Sequence, residues 1–171
     1  MAAMTTDFHL AGGPESAFRV RLLPPGDLRL ALPLAQLLYP FLTERAWFDY
    51  AKQPQNGEQR RILAACDPRG YLHGLCTLSD GFDLGCGRSL DVDDFVVASF
   101  VDTKSVARAL LAGIEAIART GGYLEVRVML ADSNLLHRQA VADALNSGGH
   151  VRTMARFAKP LVQSVRPRVS L

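Results

Sequence analysis

Hydrophobic and polar residues alternate in several short segments of the chain. Phe18, Val20 and Leu22 alternate with arginines, and residues 124–128 show the same alternation. This period of two is typical of a half-buried strand. Residues 95–101 are instead almost all apolar, as expected of a strand that is covered on both faces.

Elsewhere, apolar residues recur at a spacing of three or four. The stripe formed by Val106, Leu110, Ile114 and Ile117 predicts a helix, which the glycines at 121 and 122 would end. The same spacing predicts two short helices between residues 30 and 50 and a further helix over residues 136–144.

Turn chemistry joins two of the predicted strands. Asp67 to Gly70 has Asp, Pro and Gly at the positions that a type I turn favours, so residues 61–66 and 71–78 are predicted to form a hairpin. The Gly- and Asp-rich residues after it are expected to form a connection, and residues 151–157 are expected to form the last strand. The strand–helix–strand unit over residues 95–130 is long enough to join two parallel strands. The pattern as a whole predicts a mixed α/β (α+β) domain built on one sheet.

Composition is consistent with one globular domain. The chain has 171 residues, of which 49% are hydrophobic and 21% charged, and this excludes a disordered chain. A net charge of +2 argues against nucleic acid as a partner, although residues 150–171 carry only basic charges. The three cysteines do not have zinc-site spacing, so no metal is expected. The chain shows neither a leader sequence nor a membrane-length apolar stretch, so we expect a cytoplasmic protein without a membrane partner.

The order of these elements resembles that of the GNAT superfamily, the acetyl-coenzyme A-dependent N-acetyltransferases. The hairpin over residues 62–78, with a later glycine at Gly74, is similar to the family's second and third strands. Residues 157–161 are similar to its last strand. The resemblance implies a mixed, mostly antiparallel central sheet with helices on both faces. It covers residues 18–161 as a single domain, and leaves residues 1–17 as an N-terminal extension and residues 162–171 as a basic tail.

The family's cofactor loop, approximately V-x-P-x-x-R-G-x-G-I-G-x-x-L, aligns without a gap on residues 97–110. The resemblance therefore implies that acetyl-CoA or another acyl-CoA is held by Val96, Val97, Lys104, Ser105, Val106, Ala107, Arg108 and Asn134. Asp102, however, stands where the family usually has Arg or Gln, and Thr103 and Ser105 replace glycines. An Asp before a helix is also a good N-cap, and it would use backbone donors that a phosphate needs. We therefore expect weak or absent CoA binding.

The resemblance also implies that a carboxylate on the strand before this loop acts as the base. Asp91 and Asp93 are the candidates, because a period of two would place both on the face of Val97, with Asp94 on the other face. They would otherwise be solvated acids at the edge of the sheet. The family's tyrosine acid is missing from the last helix, where His137 is a possible substitute or an ordinary surface residue. Trp47 and Tyr50 are candidates for the substrate pocket, although Trp47 would also suit the core.

The resemblance implies an N-acetyltransferase that moves an acyl group from acyl-CoA to an amine by direct attack. The amine would belong to a small molecule or to a protein or peptide, and a homodimer is compatible with the sequence. One alternative is a GNAT-fold binding or interaction domain that has lost catalysis and binds CoA weakly or not at all. Another is a small-molecule-binding α/β domain that shares only the element order.

Overall fold

The structure is a computed structural model, and it describes residues 17–55, 58–98, 102–130 and 135–151. The strands are β1 (Arg19–Leu22), β2 (Pro54–Gln55), β3 (Glu58–Gln59), β4 (Arg61–Cys66), β5 (Leu72–Asp83), β6 (Gly87–Val97) and β7 (Glu125–Val128). The helices are α1 (Leu28–Leu38), α2 (Glu44–Lys52), α3 (Thr103–Thr120) and α4 (Leu135–Ser147), and a 3-10 turn over Pro25–Asp27 precedes α1.

Five of the described strands form one mixed sheet in the order β1-β4-β5-β6-β7. The first three pairings are antiparallel, and β6 pairs with β7 in parallel. This confirms the predicted parallel pair joined by a helix, although the pairing lies at residues 89–92 of β6, before the predicted residues 95–101. The predicted hairpin is also confirmed, and in it Gly70 N donates to the Asp67 carbonyl oxygen at 3.0 Å. The short strands β2 and β3 form a separate ribbon.

Helices cover both faces of the sheet, as the family resemblance implies. Ile62 and Ala64 pack with α1 and α2, whereas Leu63 and Ala65 pack with α3 and α4. This alternation makes β4 almost fully buried, since each face of the strand lies under its own helical layer. The sequence therefore forms one sheet with two apolar cores.

Helix α3 lies unusually close to β5. A Cβ atom on Gly74 would lie 2.8 Å from Val106 Cγ1 and 3.0 Å from the Val96 carbonyl oxygen. Only a residue without a side chain fits there without displacing the helix. Gly74 therefore allows the first turns of α3 to lie directly against β5 and β6.

The Gly- and Asp-rich segment that the sequence predicted to be a connection is mostly strand. β5 and β6 remain paired from Leu75 and Val96 as far as Asp83 and Gly87. Small residues make this possible, because a Cβ on Gly81 would lie 2.4 Å from both Ser89 Oγ and Asp91 Oδ2. The segment was not predicted as strand because its many Gly, Asp and Ser residues do not alternate clearly between apolar and polar.

Several predictions lie outside the described residues. These are Asn134, most of the predicted last strand over residues 151–157, the basic tail and most of the N-terminal extension. Among the helices of the described ranges, none has the length and apolar character needed to cross a membrane.

Candidate active site

A β-bulge interrupts β6 where it faces β5. Thr77 pairs with Asp93 and Leu75 with Val96, so β6 holds an extra residue between these two pairs. Asp94 lies in this bulge with φ +51°, a left-handed conformation that Asp and Asn tolerate better than most residues. The bulge reverses the alternation of the strand, because Leu90 and Val92 belong to the same core as Val97. The expectation that Asp91 and Asp93 share the face of Val97 is therefore wrong, since it assumed a regular strand.

The Asp94 carboxylate accepts hydrogen bonds from three hydroxyl groups. Tyr39 donates to Oδ1 at 2.6 Å, and Thr77 donates to Oδ2 at 3.0 Å. The Tyr50 hydroxyl also donates to Oδ2. Because the donors come from the end of α1, from α2 and from β5, the carboxylate is held from several directions.

Local sequence explains where the two tyrosines lie. Helix α1 ends at Leu38, and Tyr39 follows as its C-cap, directly before Pro40, a residue that disfavours helical conformation in the position preceding it. Helix α2 begins after Thr43, whose side chain accepts a hydrogen bond from Ala46 N at 3.2 Å. These two helix ends set the direction from which each phenol reaches Asp94.

Trp47 supports Tyr50 from within the core. Its side chain is only 2% exposed, and its ring stacks on that of Tyr50 with centroids 6.0 Å apart. The indole N–H donates to the Leu28 carbonyl oxygen at 2.8 Å. Trp47 is thus a core residue in this structure, so the sequence-based assignment to the pocket surface needs correction: burial keeps this ring from contacting a substrate.

Arg60 is the second charged group at this cluster. Its Nη1 lies 2.5 Å from the Tyr50 hydroxyl oxygen, and its guanidinium carbon lies 3.9 Å from the centre of the Tyr50 ring. The phenol thus accepts from Arg60 and donates to Asp94. Burial, followed by the hydrogen bond to Asp94, raises the pKa of Tyr50 well above its ordinary range. Tyr50 is therefore a neutral hydrogen-bond donor at physiological pH.

The bulge lies where the parallel pairing ends. β6 and β7 pair only from Ser89 and Glu125 to Val92 and Val128, and Met129 N then donates to the Val92 carbonyl oxygen at 2.8 Å. Within the described part of the chain, no strand pairs with β6 on this side beyond Val92. Residues 93–97 therefore extend past the paired part of β7, towards the N-terminus of α3.

The N-terminus of α3 is capped by its own aspartate. Asp102 Oδ1 accepts from Ser105 N at 2.9 Å, which confirms the predicted N-cap. Hydrogen bonds with Ser105 hold the pKa of Asp102 below its usual value, so the carboxylate is charged at neutral pH. Val106 N donates to the Asp102 carbonyl oxygen at 3.3 Å. The backbone donors of Ser105 and Val106 are therefore already used in this conformation.

The remaining predicted cofactor residues fall into two groups. Val96, Val97, Val106 and Ala107 are fully buried, so only their backbone atoms suit a cofactor role. Lys104 and Arg108 are exposed on the first turns of α3, where the positive end of the helix dipole also favours an anion. Their position is compatible with binding phosphate groups, and Asp102 is the group that opposes it.

The structure does not bring Asp91 to the Asp94 cluster. Asp91 Oδ1 accepts from Ser89 Oγ at 2.9 Å, further back along β6. Asp93 lies opposite Thr77 in the register, directly beside Asp94. His137 lies in α4, but its side chain is outside the described part of the structure.

Four residues of the cluster were not among the site residues predicted from the sequence: Tyr39, Arg60, Thr77 and Asp94. One signal was available, because two consecutive aspartates at 93 and 94 interrupt the alternation of Leu90 and Val92. Such an interruption within an apolar strand is what a bulge produces. No comparable sequence pattern predicts the contacts of Tyr39 and Arg60.

Several solved structures with a similar architecture are acetyltransferases. A crystal structure of a probable acetyltransferase matches 85% of this chain and 99% of its own, with 20% identity and a TM-score of 0.66. The ribosomal-protein-alanine N-acetyltransferase of Brucella melitensis biovar Abortus 2308 matches 86% of this chain and 100% of its own, with 17% identity and a TM-score of 0.62. Glucosamine-6-phosphate N-acetyltransferase from Arabidopsis thaliana matches 85% of this chain and 99% of its own, with 15% identity and a TM-score of 0.58.

These similarities show the fold. The chain has the α+β fold of the GNAT acetyltransferases, as its element order led us to expect. No model of a known protein family matches the chain, and no curated protein matches it either. The chemistry must therefore be argued from the residues of the site, because one fold carries many functions.

Proposed function

We propose that this protein is a GNAT-superfamily N-acetyltransferase that transfers an acyl group from acyl-CoA directly to an amine. The main support is the Asp94 carboxylate, which three hydroxyl groups hold in the β6 bulge. It lies where pairing with β7 has ended, and the fold is one found in acetyltransferases. A fixed carboxylate at this position suits the removal of a proton from an attacking amine.

Asp94 is the proposed general base. An aliphatic amine is an ammonium ion at neutral pH and must lose a proton before its nitrogen can attack a thioester. A well-placed base contributes about 10²- to 10⁴-fold to such a step. Tyr39 covers one carboxylate oxygen but is itself 40% exposed, so this side of Asp94 is the side nearest to solvent. We propose that the amine approaches Asp94 from this side. Tyr50 and Thr77 hold the other carboxylate oxygen by donating hydrogen bonds to it.

The acyl-CoA would supply the activated acyl group when it is bound. We assign its phosphates to Lys104 and Arg108 at the N-terminus of α3, and its backbone contacts to Val96, Val97, Ser105, Val106 and Ala107. Asn134 remains a predicted contact. Asp102 repels phosphate and uses the Ser105 N–H, so we propose weak binding rather than its loss.

Several further predictions belong to this proposal. Asp91 and Asp93 are the alternative bases and His137 is the candidate acid, while Tyr50 retains its place beside the substrate. A cytoplasmic protein, a homodimer and an acceptor that is a small molecule or a protein amine also remain predictions. The rival function, a binding domain without catalysis, rests on the occupied donors at Asp102.

The test combines binding and turnover. Isothermal calorimetry with acetyl-CoA measures binding, while release of the free CoA thiol is followed with a panel of amino acids, amino sugars, polyamines and peptides. We expect binding in the range of tens to hundreds of micromolar and turnover of at least one amine, with the acetylated product seen by mass spectrometry. Absence of both binding and turnover would contradict the proposal. Binding without turnover of any amine would favour the binding domain.

A further inference from the structure

Arg60 carries a donor that no described residue satisfies. Its Nε is buried without a hydrogen-bond partner, although the guanidinium stacks on Tyr50 and bonds to its hydroxyl. Within the described residues no carboxylate pairs with this cation. Two other half-buried arginines differ in this respect, because Arg61 pairs with Asp80 at 2.8 Å and Arg127 with Glu125 at 2.9 Å.

Arg60 reaches the Asp94 carboxylate only through the Tyr50 hydroxyl, and its buried, unpaired Nε–H carries a desolvation penalty. An arginine has a rigid fork of donors that matches carboxylate and phosphate groups. An anion on a ligand would therefore satisfy Arg60 in a way that the described part of the chain does not. The cation lies next to the proposed acceptor site, so the anion would belong to the acceptor.

The geometry limits how far apart the two groups of that acceptor can be. Arg60 Nη1 and Asp94 Oδ2 each lie within one hydrogen bond of the Tyr50 hydroxyl. Two hydrogen-bond lengths put Nη1 and Oδ2 about 6 Å apart or less, and the unsatisfied Nε belongs to the same planar guanidinium as Nη1. A ligand that spans them needs an ammonium group and an anion separated by only a few bonds, as in an amino acid or an aminoalkyl phosphate.

We propose that Arg60 selects acceptors whose amine lies close to an acidic group, a carboxylate or a phosphate. This inference rests on the proposed acyl transfer at Asp94, and it assigns the substrate class of the same site. The acidic group binds Arg60, and the amine is thereby presented to Asp94. Arg60 is thus a specificity-determining residue that acts on binding rather than on proton transfer.

The test uses pairs of acceptors that differ only in the anion. Free α-, β- and γ-amino acids are compared with their amides, and 2-aminoethyl phosphate with ethylamine. The enzymes are the wild-type protein, Arg60→Gln, Arg60→Lys and the control Arg45→Gln, which alters a side chain that is 93% exposed. We expect the wild-type protein to favour the acidic member of a pair about 10- to 100-fold in kcat/KM. Arg60→Gln should remove this preference by raising KM, Arg60→Lys should restore part of it, and Arg45→Gln should match the wild type.

The outcomes separate this inference from the proposed function. Turnover of amines with no preference for the acidic member, or an equal loss on both members in Arg60→Gln, would overturn the role of Arg60 and leave acyl transfer intact. If no amine is turned over, calorimetry of the same pairs with the wild type and Arg60→Gln still decides the matter. Tighter binding of the acidic member that depends on Arg60 would support the inference, and equal binding would overturn it.

Discussion

Two aspartates, one on each side of the loop between β6 and α3, have opposite surroundings. Asp94 is half-buried in the β6 bulge and accepts from hydroxyl groups on α2, on β5 and at the end of α1. Asp102 is exposed and accepts from Ser105 N, in the first turn of the helix that it begins. The hydrogen-bond donors to Asp94 come from distant parts of the chain, whereas the donor to Asp102 lies three residues away in the same helix end.

This difference indicates what each carboxylate can do. The hydroxyl donors around Asp94 belong to side chains, so an incoming amine can replace one of them without disturbing a helix. The donor to Asp102 is a backbone group at a helix end, and its loss leaves an N–H of α3 without a partner. We therefore assign chemistry to Asp94, and to Asp102 a structural role that weakens phosphate binding.

The largest expected effect is that of Asp94→Asn on turnover. Asparagine tolerates the positive φ and keeps one oxygen for the hydroxyl donors, but it cannot take a proton from the amine. We expect kcat to fall about 10²- to 10³-fold, measured as CoA thiol release.

The matched variants are Asp91→Asn and Asp93→Asn, which test the two bases that the sequence suggested. Each should reduce kcat far less than Asp94→Asn does. A larger loss at Asp91 or Asp93 would place the base there and contradict the assignment to the bulge.

A smaller effect is expected from Tyr50→Phe. This change removes a donor to Asp94 and leaves Arg60 facing an apolar ring. We expect kcat/KM to fall about tenfold and the free energy of unfolding to fall by about 1–2 kcal/mol, as for other lost hydrogen bonds in buried places. Steady-state kinetics and urea denaturation measure the two effects, and wild-type values in both would remove Tyr50 from the cluster.

The same variant tests the raised pKa of Tyr50. In the unfolded chain a tyrosine ionises near pH 10, as is usual for the free side chain, whereas the folded protein keeps Tyr50 protonated. The unfolded state therefore loses its proton first, so wild-type stability is full below about pH 10 and falls as the pH rises above it. Urea midpoints between pH 8 and 11 should fall less steeply in Tyr50→Phe, and parallel curves would contradict the raised pKa.

The smallest expected effect concerns Asp102, where charge and capping can be separated. Asp102→Asn keeps a good N-cap and removes the negative charge, so acetyl-CoA affinity should rise about 3- to 10-fold with unchanged thermal stability. Asp102→Ala should raise affinity similarly but lower the melting temperature, because Ser105 N loses its acceptor. Calorimetry and thermal unfolding measure the pair. Unchanged affinity in both variants would show that phosphates do not bind at this helix end.

Sequence patterns predicted the features that depend on neighbouring residues. The turn from Asp67 to Gly70, helix α3 and the N-cap Asp102 were all predicted, and the structure confirms each of them. In each case the groups that interact lie within a few positions of one another. Local turn and capping preferences are strong enough there to be recognised in a single sequence.

The Asp94 cluster could not be predicted in the same way. Tyr39 and Asp94 are 55 positions apart in the chain, and only the packing of α1 and α2 over the sheet brings them together. The bulge adds a further difficulty, because with one extra residue in β6 an alternation counted back from Val97 assigns Asp91 and Asp93 to the wrong face of the sheet. Periodicity along the sequence predicts neither long-range packing nor a change of register by a single residue.

Chemical rescue shows whether a carboxylate in the β6 bulge takes the proton of the amine. Asp94→Gly suits the positive φ at this position and removes the carboxylate, which leaves space for a small acid. We predict that formate raises the turnover of Asp94→Gly by at least about tenfold, a gain that lies within the contribution of a general base. Formate should have no such effect on Asp91→Ala. Failure of formate to restore Asp94→Gly, together with rescue of Asp91→Ala, would place the base at Asp91 and not in the bulge.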